Sequence, residues 1–155
     1  LTDAQLNALT PADRKTLTRD ILTYLAAAPP YQVLDNGKLI VAHAGMREEF
    51  VGRTDGHVRQ FTLYGDVRGF EPGTNKPIRF DWASEYHGTA LIAYGHTPQE
   101  EIRFVGNTIN LDSGCVFGGA LTALRYPERE IVSVPAREVY AYHEGLSYSH
   151  PPASQ

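Results

Sequence analysis

The segment that decides the fold is Leu-Ile-Val-Ala-His-Ala-Gly at residues 39–45. Its four apolar residues predict a buried strand, and His43 follows them directly. The segment follows an apolar run at residues 31–34 and Asp-Asn-Gly at residues 35–37, and Asn-Gly between two apolar runs predicts a β-hairpin. A strand that ends at His43 holds its imidazole in a fixed position, and the nearby glycine lets a ligand come close.

A second apolar strand is predicted at residues 89–94, and it ends in Gly95-His96-Thr97. Two imidazoles at one sheet edge can share a metal, because neutral imidazole is a good ligand for zinc, iron, nickel and manganese ions. The alternative is that His43 and His96 are unrelated structural residues, since their separation in the sequence matches no specific metal-binding spacing.

A third strand is predicted at residues 108–111, and Asn110 and Asp112 lie on the same face of it because side chains alternate along a strand. Asp112 is a candidate active-site residue, because carboxylates often orient the histidines that bind a metal. The alternative is an ordinary turn or capping aspartate.

The remaining elements predict a mostly β chain after one helix. Thr10 and Pro11 favour a helix start, and Pro29-Pro30 end that helix. The pattern of residues 46–88 is less regular. Within them Gly and Pro predict a loop. The predicted apolar face of the helix consists of Leu17, Ile21, Leu22 and Leu25. The predicted loop spans residues 69–77, and further strands are predicted at residues 102–105, 121–126 and 130–134.

Composition limits the class of protein. The 155 residues suffice for one domain, and the net charge of −4 gives no basic footprint for nucleic acid or membranes. There is no apolar run of about 18 residues and no signal peptide, so we expect no membrane association. The single cysteine, Cys115, fits a reducing cytoplasm. We expect a domain at residues 1–146, a flexible tail at residues 147–155 and, since Leu1 is not Met, a piece of a longer protein.

The order of these segments resembles the later motifs of the calcineurin-like metallophosphoesterases, in the branch related to protein phosphatases and diadenosine tetraphosphatase. Two other segments resemble the phosphatase domain of bacterial polynucleotide kinase-phosphatase. The resemblance covers about residues 31–140 and implies an α+β fold, namely the C-terminal half of a β-sandwich flanked by helices. The segments that carry it are residues 39–45, 94–98, 110–119 and 121–125 for the family, and residues 77–83 and 124–128 for the polynucleotide group.

The resemblance implies a site with two divalent ions, manganese by preference and iron, zinc or nickel as alternatives. His43 and His96 match the histidines that bind the second metal in such families. Two adjacent metals can activate a water and stabilise the charge on a phosphate. Arg59 and Arg79 are candidates for binding that phosphate, because arginine binds its oxygens bidentately. The alternative is that both arginines lie at the solvated surface and bind no phosphate.

Two features depart from the family pattern. Many relatives carry a second histidine where this chain has Pro98, and the three earlier motifs, Gly-Asp-x-His, Gly-Asp-x-x-Asp-Arg-Gly and Gly-Asn-His-Glu/Asp, are absent. Those motifs supply the other metal's ligands, the bridging carboxylate and the general acid. We therefore expect that the chain alone is inactive, and that the N-terminal half of the domain is one of its partners.

The leading functional prediction is a metal-dependent phosphatase that removes terminal phosphates from RNA or DNA ends. A Ser/Thr protein phosphatase, a dinucleoside polyphosphate hydrolase and a non-catalytic half-domain are the alternatives. Asp81 and Trp82 are candidates for lining a substrate cleft, although tryptophan most often serves in packing.

Overall fold

An α+β architecture is formed by residues 2–143, 145, 146 and 148, which the computed structural model describes. The predicted tail at residues 147–155 lies outside the described residues except for Tyr148. The helices are α1 (Thr2–Asn7), α2 (Pro11–Ala27) and α3 (Gly56–Tyr64). The strands are β1 (Tyr31–Leu34), β2 (Leu39–Ala42), β3 (Asp66–Phe70), β4 (Pro77–Phe80), β5 (Leu91–Tyr94), β6 (Phe104–Val105), β7 (Thr108–Asn110), β8 (Ala120–Arg125) and β9 (Glu130–Pro135).

The main sheet has five strands in the order β1-β2-β5-β7-β6. β1 pairs antiparallel with β2 through the predicted hairpin, and β6 pairs antiparallel with β7. β2, β5 and β7 are parallel to one another. The carboxyl ends of these three central strands therefore meet at one edge of the sheet, which is where ligands bind in many open sheets.

Both faces of the main sheet are buried, because alternate residues of each strand point to opposite sides. On one face, Ile40 and Ile92 pack into a cluster that contains Met46, Phe61 and Trp82. The opposite face carries Leu39, Leu91, Ala93 and Ile109, with Leu124 of β8 packed against them. The β8–β9 hairpin thus packs on the face opposite α3, in agreement with the layered fold that the resemblance implies.

Residues 46–88, where the sequence pattern is less regular, contain α3 and the hairpin of β3 and β4, which the sequence did not predict. Asp55 begins α3, and its carboxylate accepts hydrogen bonds from the backbone N–H groups of His57 and Val58 at 3.1 and 3.4 Å. Val58 and Phe61 are buried one helical turn apart. Of the predicted loop, only residues 71–76 remain outside the strands.

Helix α2 begins and ends near its predicted limits, but its apolar face is not covered. The Thr10 hydroxyl accepts a hydrogen bond from the Asp13 N–H at 3.2 Å, which caps the helix. Within the described part of the chain no residue of α2 is buried, and Leu22 and Leu25 are 61% and 57% exposed.

Among the described helices, none combines the length and the apolar content that crossing a bilayer requires.

A buried carboxylate holds the β3–β4 hairpin on the core. Asp66 is largely buried, and its Oδ2 accepts hydrogen bonds from Nη2 of Arg47 at 2.6 Å and Nη2 of Arg68 at 2.8 Å. The Arg47 guanidinium also lies 5.0 Å from the centre of the Phe61 ring. The hydrogen bond from Arg68 is the main cause that lowers the pKa of Asp66, and burial opposes it. The carboxylate is therefore charged in the folded chain.

Replacing Asp66 by asparagine is expected to lower the free energy of unfolding by about 1–3 kcal/mol at neutral pH, because two guanidinium groups lose their shared anion. Urea denaturation measures this change. Because the folded-state pKa of Asp66 lies below its unfolded value, the native stabilisation is present above about pH 4 and is lost as the pH falls further. The difference between wild type and Asp66→Asn should shrink in that acid range.

Asp20→Asn is the matched control, because the Arg19–Asp20 ion pair is 2.9 Å long and both side chains are more than half exposed. This change should alter the free energy of unfolding by less than about 0.5 kcal/mol. Equal stability losses in Asp66→Asn and Asp20→Asn would contradict the anchoring role of Asp66.

Candidate metal centre

The imidazoles of His43 and His96 come together at the carboxyl edge of the main sheet. His43 follows β2 and His96 follows β5, and the two strands are parallel neighbours. His43 Nε2 lies 2.9 Å from His96 Nδ1, and the ring centres are 4.8 Å apart. The predicted convergence of the two rings is confirmed. The remaining question is which other groups surround them.

The distance between the two nitrogens fits a shared ion. Imidazole binds Zn²⁺ at about 2.0–2.1 Å, so two such nitrogens lie about 3.3 Å apart in a tetrahedral site and about 3 Å apart where the ligands are at right angles, as in octahedral coordination. Among the described residues, however, no group of three or more His, Cys, Asp or Glu side chains could hold a metal. The pair fits a divalent ion as two of its ligands, and the other ligands of such an ion are not in this part of the chain.

The backbone around His96 is unusual. His96 has a φ of +77°, a conformation that costs a residue with a side chain about 1–3 kcal/mol. Gly95 before it donates its N–H to the carbonyl of His43 at 2.9 Å, and a Cβ atom at Gly95 would lie only 3.3 Å from Cβ of Asp112. The close approach of three strand ends thus fixes where the imidazole of His96 points.

Arg79 contacts His96 from the β3–β4 hairpin. Its Nη2 lies 3.1 Å from His96 Nε2, and its Nη1 donates to the carbonyl of Tyr64. A guanidinium can only donate, so His96 Nε2 accepts this hydrogen bond. A neutral His96 then carries its proton on Nδ1 and donates to His43 Nε2.

The charge of His96 depends on these neighbours. Burial is the largest cause that lowers the pKa of His96, followed by the positive charge of Arg79 and the nearby His43. The negative charge of Asp112 opposes the shift. His96 is therefore held in its neutral form, which is the form that binds metals.

Asp112 lies beside the pair, as predicted, and also serves in a turn. Its charge acts on His96, and its Cβ lies against Gly95. Its carboxylate accepts a hydrogen bond from the N–H of Gly114 at 3.1 Å, and its own N–H donates to the side chain of Asn110 at 2.9 Å. Its position therefore agrees with both of the predicted alternatives, and a catalytic role for Asp112 stays a prediction.

Arg59 has a different environment from Arg79. Its guanidinium donates to the carbonyls of Ala26 and Ala28 at 3.1–3.2 Å, which lie at the C-terminal end of α2. Arginine at this end of a helix satisfies free carbonyls and interacts favourably with the helix dipole. The contacts of Arg59 join α3 to α2, and its proposed binding of phosphate stays a prediction.

A cavity of about 330 Å³ lies next to Arg79. Asp81 and Trp82, which the sequence suggested for a cleft, both line it. Sequence reasoning missed Phe80, which also lines the cavity, because it did not predict the hairpin of β3 and β4. It also missed Tyr64, whose ring centre is 6.3 Å from that of His96.

Several bis(5'-nucleosyl)-tetraphosphatases are similar to this chain. No protein-family model matches the chain. It is 52% identical over 135 residues to the bis(5'-nucleosyl)-tetraphosphatase PrpE (asymmetrical) of Geobacillus thermodenitrificans, covering 87% of this chain and 55% of that protein. The protein of the same name from Anoxybacillus flavithermus is 52% identical over 132 residues, and this match covers 83% of this chain and 54% of that protein. The chain thus spans about half the length of these relatives.

A crystal structure provisionally described as a diadenosine tetraphosphatase has a similar fold, with a TM-score of 0.54 and 24% sequence identity. The match covers 87% of this chain and 65% of that chain. The fold is therefore the phosphoesterase-like α+β fold that the sequence resemblance implies. The relatives support that resemblance in its general form, and they do not support its narrower assignment to the polynucleotide kinase-phosphatase group.

Proposed function

We propose that this chain carries part of the metal centre of a hydrolase that cleaves dinucleoside polyphosphates. The observation that carries the proposal is the 2.9 Å approach of His43 Nε2 and His96 Nδ1 at the end of two parallel strands. This arrangement supplies two nitrogen ligands to one divalent ion. Manganese is the proposed ion, as the family resemblance implies.

The proposed substrate follows from the relatives. Proteins that are about 50% identical to this chain over 132–135 residues bear the name of bis(5'-nucleosyl)-tetraphosphatases. This favours a dinucleoside polyphosphate over the RNA or DNA ends of the leading sequence prediction. The net charge of −4 agrees, because proteins that bind nucleic acid commonly present a basic surface.

The described residues take separate parts in the proposed reaction. A bound divalent ion supplies a water of lowered pKa and polarises a phosphoryl oxygen. His43 and His96 hold this ion, and the strained backbone at residue 96 fixes the direction of the second ring. Asp112 adds negative charge beside the ring of His96. Arg79 lies close enough to the pair to bind an oxygen of the phosphate.

Binding of the ion and the contact between Arg79 and His96 exclude each other. An ion on His96 Nδ1 requires that nitrogen to be without its proton, which must then reside on Nε2. A protonated Nε2 cannot accept the hydrogen bond from Arg79. With an ion on Nδ1, the Arg79 guanidinium would be released from His96 and could bind an oxygen of the phosphate.

The site also needs ligands from outside the described residues. Two imidazoles leave a divalent ion short of its usual four to six ligands. The proposed source is the part of the phosphoesterase domain that the relatives possess and this chain does not match. The second ion and the bridging carboxylate belong to that same part in this proposal.

Metal affinity should respond to Arg79 and to the histidines in opposite directions. His43→Ala or His96→Ala should abolish binding of Zn²⁺ or Mn²⁺ to the pair. Arg79→Ala should tighten metal binding about fivefold. The reason is that the hydrogen bond from Arg79, about 1 kcal/mol, no longer stabilises the tautomer of His96 that carries its proton on Nδ1 and cannot bind the metal there. Competition with a chelating indicator dye measures the affinities.

Two variants serve as controls for the metal titration. His87→Ala removes an exposed imidazole, and Arg125→Ala removes a positive charge from the β8–β9 hairpin. Both should bind metal as the wild type does. If Arg79→Ala bound metal more weakly than the wild type, the proposed exclusion would be wrong.

Hydrolysis should require the remainder of the domain. The 155-residue chain, assayed with Mn²⁺, should hydrolyse diadenosine tetraphosphate at a rate barely above that of Mn²⁺ without protein. A chimera in which this chain replaces its matching segment of the Geobacillus relative should cleave it readily. His96→Ala in the chimera should reduce the rate by at least about 10³-fold, whereas His87→Ala should not, because His96 is a proposed ligand of the ion and His87 is not. Metal-dependent turnover by the chain alone, lost on His96→Ala, would show that the site is complete without added ligands.

A further inference from the structure

The cavity beside Arg79 lies between the β3–β4 hairpin and the segment that follows β5. We call it the hairpin cavity. Its volume of about 330 Å³ is at the lower end of the range of roughly 300–1,000 Å³ for small-molecule sites. It therefore has room for one nucleoside and not for a whole dinucleoside polyphosphate. Its lining includes Arg79, Phe80, Asp81, Trp82, Glu101 and Arg103.

Two aromatic side chains form part of the wall. Phe80 is 44% exposed, and the guanidinium of Arg68 lies over its ring at 4.0 Å. Trp82 is buried and held by the ring of Tyr94, whose centre is 4.7 Å from that of the indole. Of the two rings, that of Phe80 is exposed enough to stack on a nucleobase, and base–aromatic stacking is favourable for every base.

The charges of the hairpin cavity balance. Asp66 on its wall accepts hydrogen bonds from Arg47 and Arg68, and Arg47 also pairs with Glu49 at 3.6 Å, so two carboxylates balance these two guanidinium groups. The carboxylates of Asp81 and Glu101 have no ion-pair partner among the described residues, and they offset the positive charges of Arg79 and Arg103. A tri- or tetraphosphate needs an excess of positive charge, which this wall does not offer. The carboxylate of Asp81 accepts a hydrogen bond from the Ser84 N–H at 3.3 Å, and it and the carboxylate of Glu101 keep oxygen lone pairs that suit the hydroxyl groups of a ribose or the amino group of a base.

The position of Arg79 indicates how a ligand in the cavity would be oriented. Arg79 belongs both to the wall of the hairpin cavity and to the hydrogen-bonded group at His96. A nucleoside in the cavity would therefore direct its 5'-phosphate along Arg79 to the imidazole pair. The carboxylates at the other walls would repel the phosphate chain from the cavity itself.

From this arrangement we propose that the hairpin cavity binds one nucleoside of the substrate. The base lies against Phe80, the ribose faces the carboxylates, and the phosphate chain leaves past Arg79. This inference rests on the proposed function, since it assigns a part of the same substrate to a second site. It does not require a metal, and the two can be tested separately.

The test uses the fluorescence of Trp82, the single tryptophan of the chain, in the presence of EDTA. Adenosine and AMP should change this fluorescence saturably, and tripolyphosphate should bind at least about tenfold more weakly because it has no base to stack. Glu101→Gln should weaken AMP binding about tenfold, since a hydrogen bond to a charged group is lost. Glu101 is exposed, so this change leaves the core intact. Phe80→Ala should weaken it to a similar degree.

Matched variants complete the design. Glu128→Gln lies in the exposed turn between β8 and β9, and Phe70→Ala lies on the same hairpin as Phe80 with 59% exposure but outside the cavity wall. Both should bind AMP as the wild type does. Tighter AMP binding by Glu101→Gln, or tripolyphosphate binding as strong as that of AMP, would show a phosphate site and overturn the proposal. Absence of AMP binding at millimolar concentration in equilibrium dialysis would overturn it as well.

The outcomes separate this inference from the proposed function. AMP binding that persists in His43→Ala and His96→Ala supports the nucleoside site, whatever the metal titration shows. If AMP binds and the chimera does not hydrolyse diadenosine tetraphosphate, the proposed function fails and the nucleoside site stands. If the chimera hydrolyses it and Phe80→Ala and Glu101→Gln leave AMP binding unchanged, the nucleoside site fails and the proposed function stands.

Discussion

The parallel pairing of β2 with β5 is the interaction on which the candidate site depends. It sets Ile40 opposite Ile92 and Val41 opposite Ala93, and it continues past the strand ends into the hydrogen bond from the Gly95 N–H to the carbonyl of His43. Since the strands run in the same direction, their terminal side chains emerge at the same edge. A shift of this register by one residue would move every side chain to the other face and separate the imidazoles.

A second element brings a charged side chain to this edge of the sheet. The hairpin of β3 and β4, held on the core by Asp66, brings Arg79 to His96 from a distant part of the sequence. Arg79 contacts His96 and also lines the hairpin cavity. One guanidinium thus links the proposed metal site to the proposed nucleoside site.

The sequence predicted the parts of the site that lie on long apolar strands. The hairpin before His43 and the strand before His96 were found because apolar runs with turn signals are strong patterns. α3 and the β3–β4 hairpin were missed, because α3 has only nine residues and the two strands are mostly exposed. The two arginines could not be told apart by sequence, since only the fold shows that Arg59 meets the end of α2 and Arg79 meets His96.

The central claim is that His43 Nε2 and His96 Nδ1 bind the same ion. Anomalous diffraction from crystals of this chain soaked in a zinc salt tests it most directly. We expect one zinc peak at about 2.0–2.1 Å from both nitrogens, with the Arg79 guanidinium moved away from His96 Nε2. Rings that remain hydrogen-bonded to each other, with zinc bound elsewhere or to only one of them, would contradict the account.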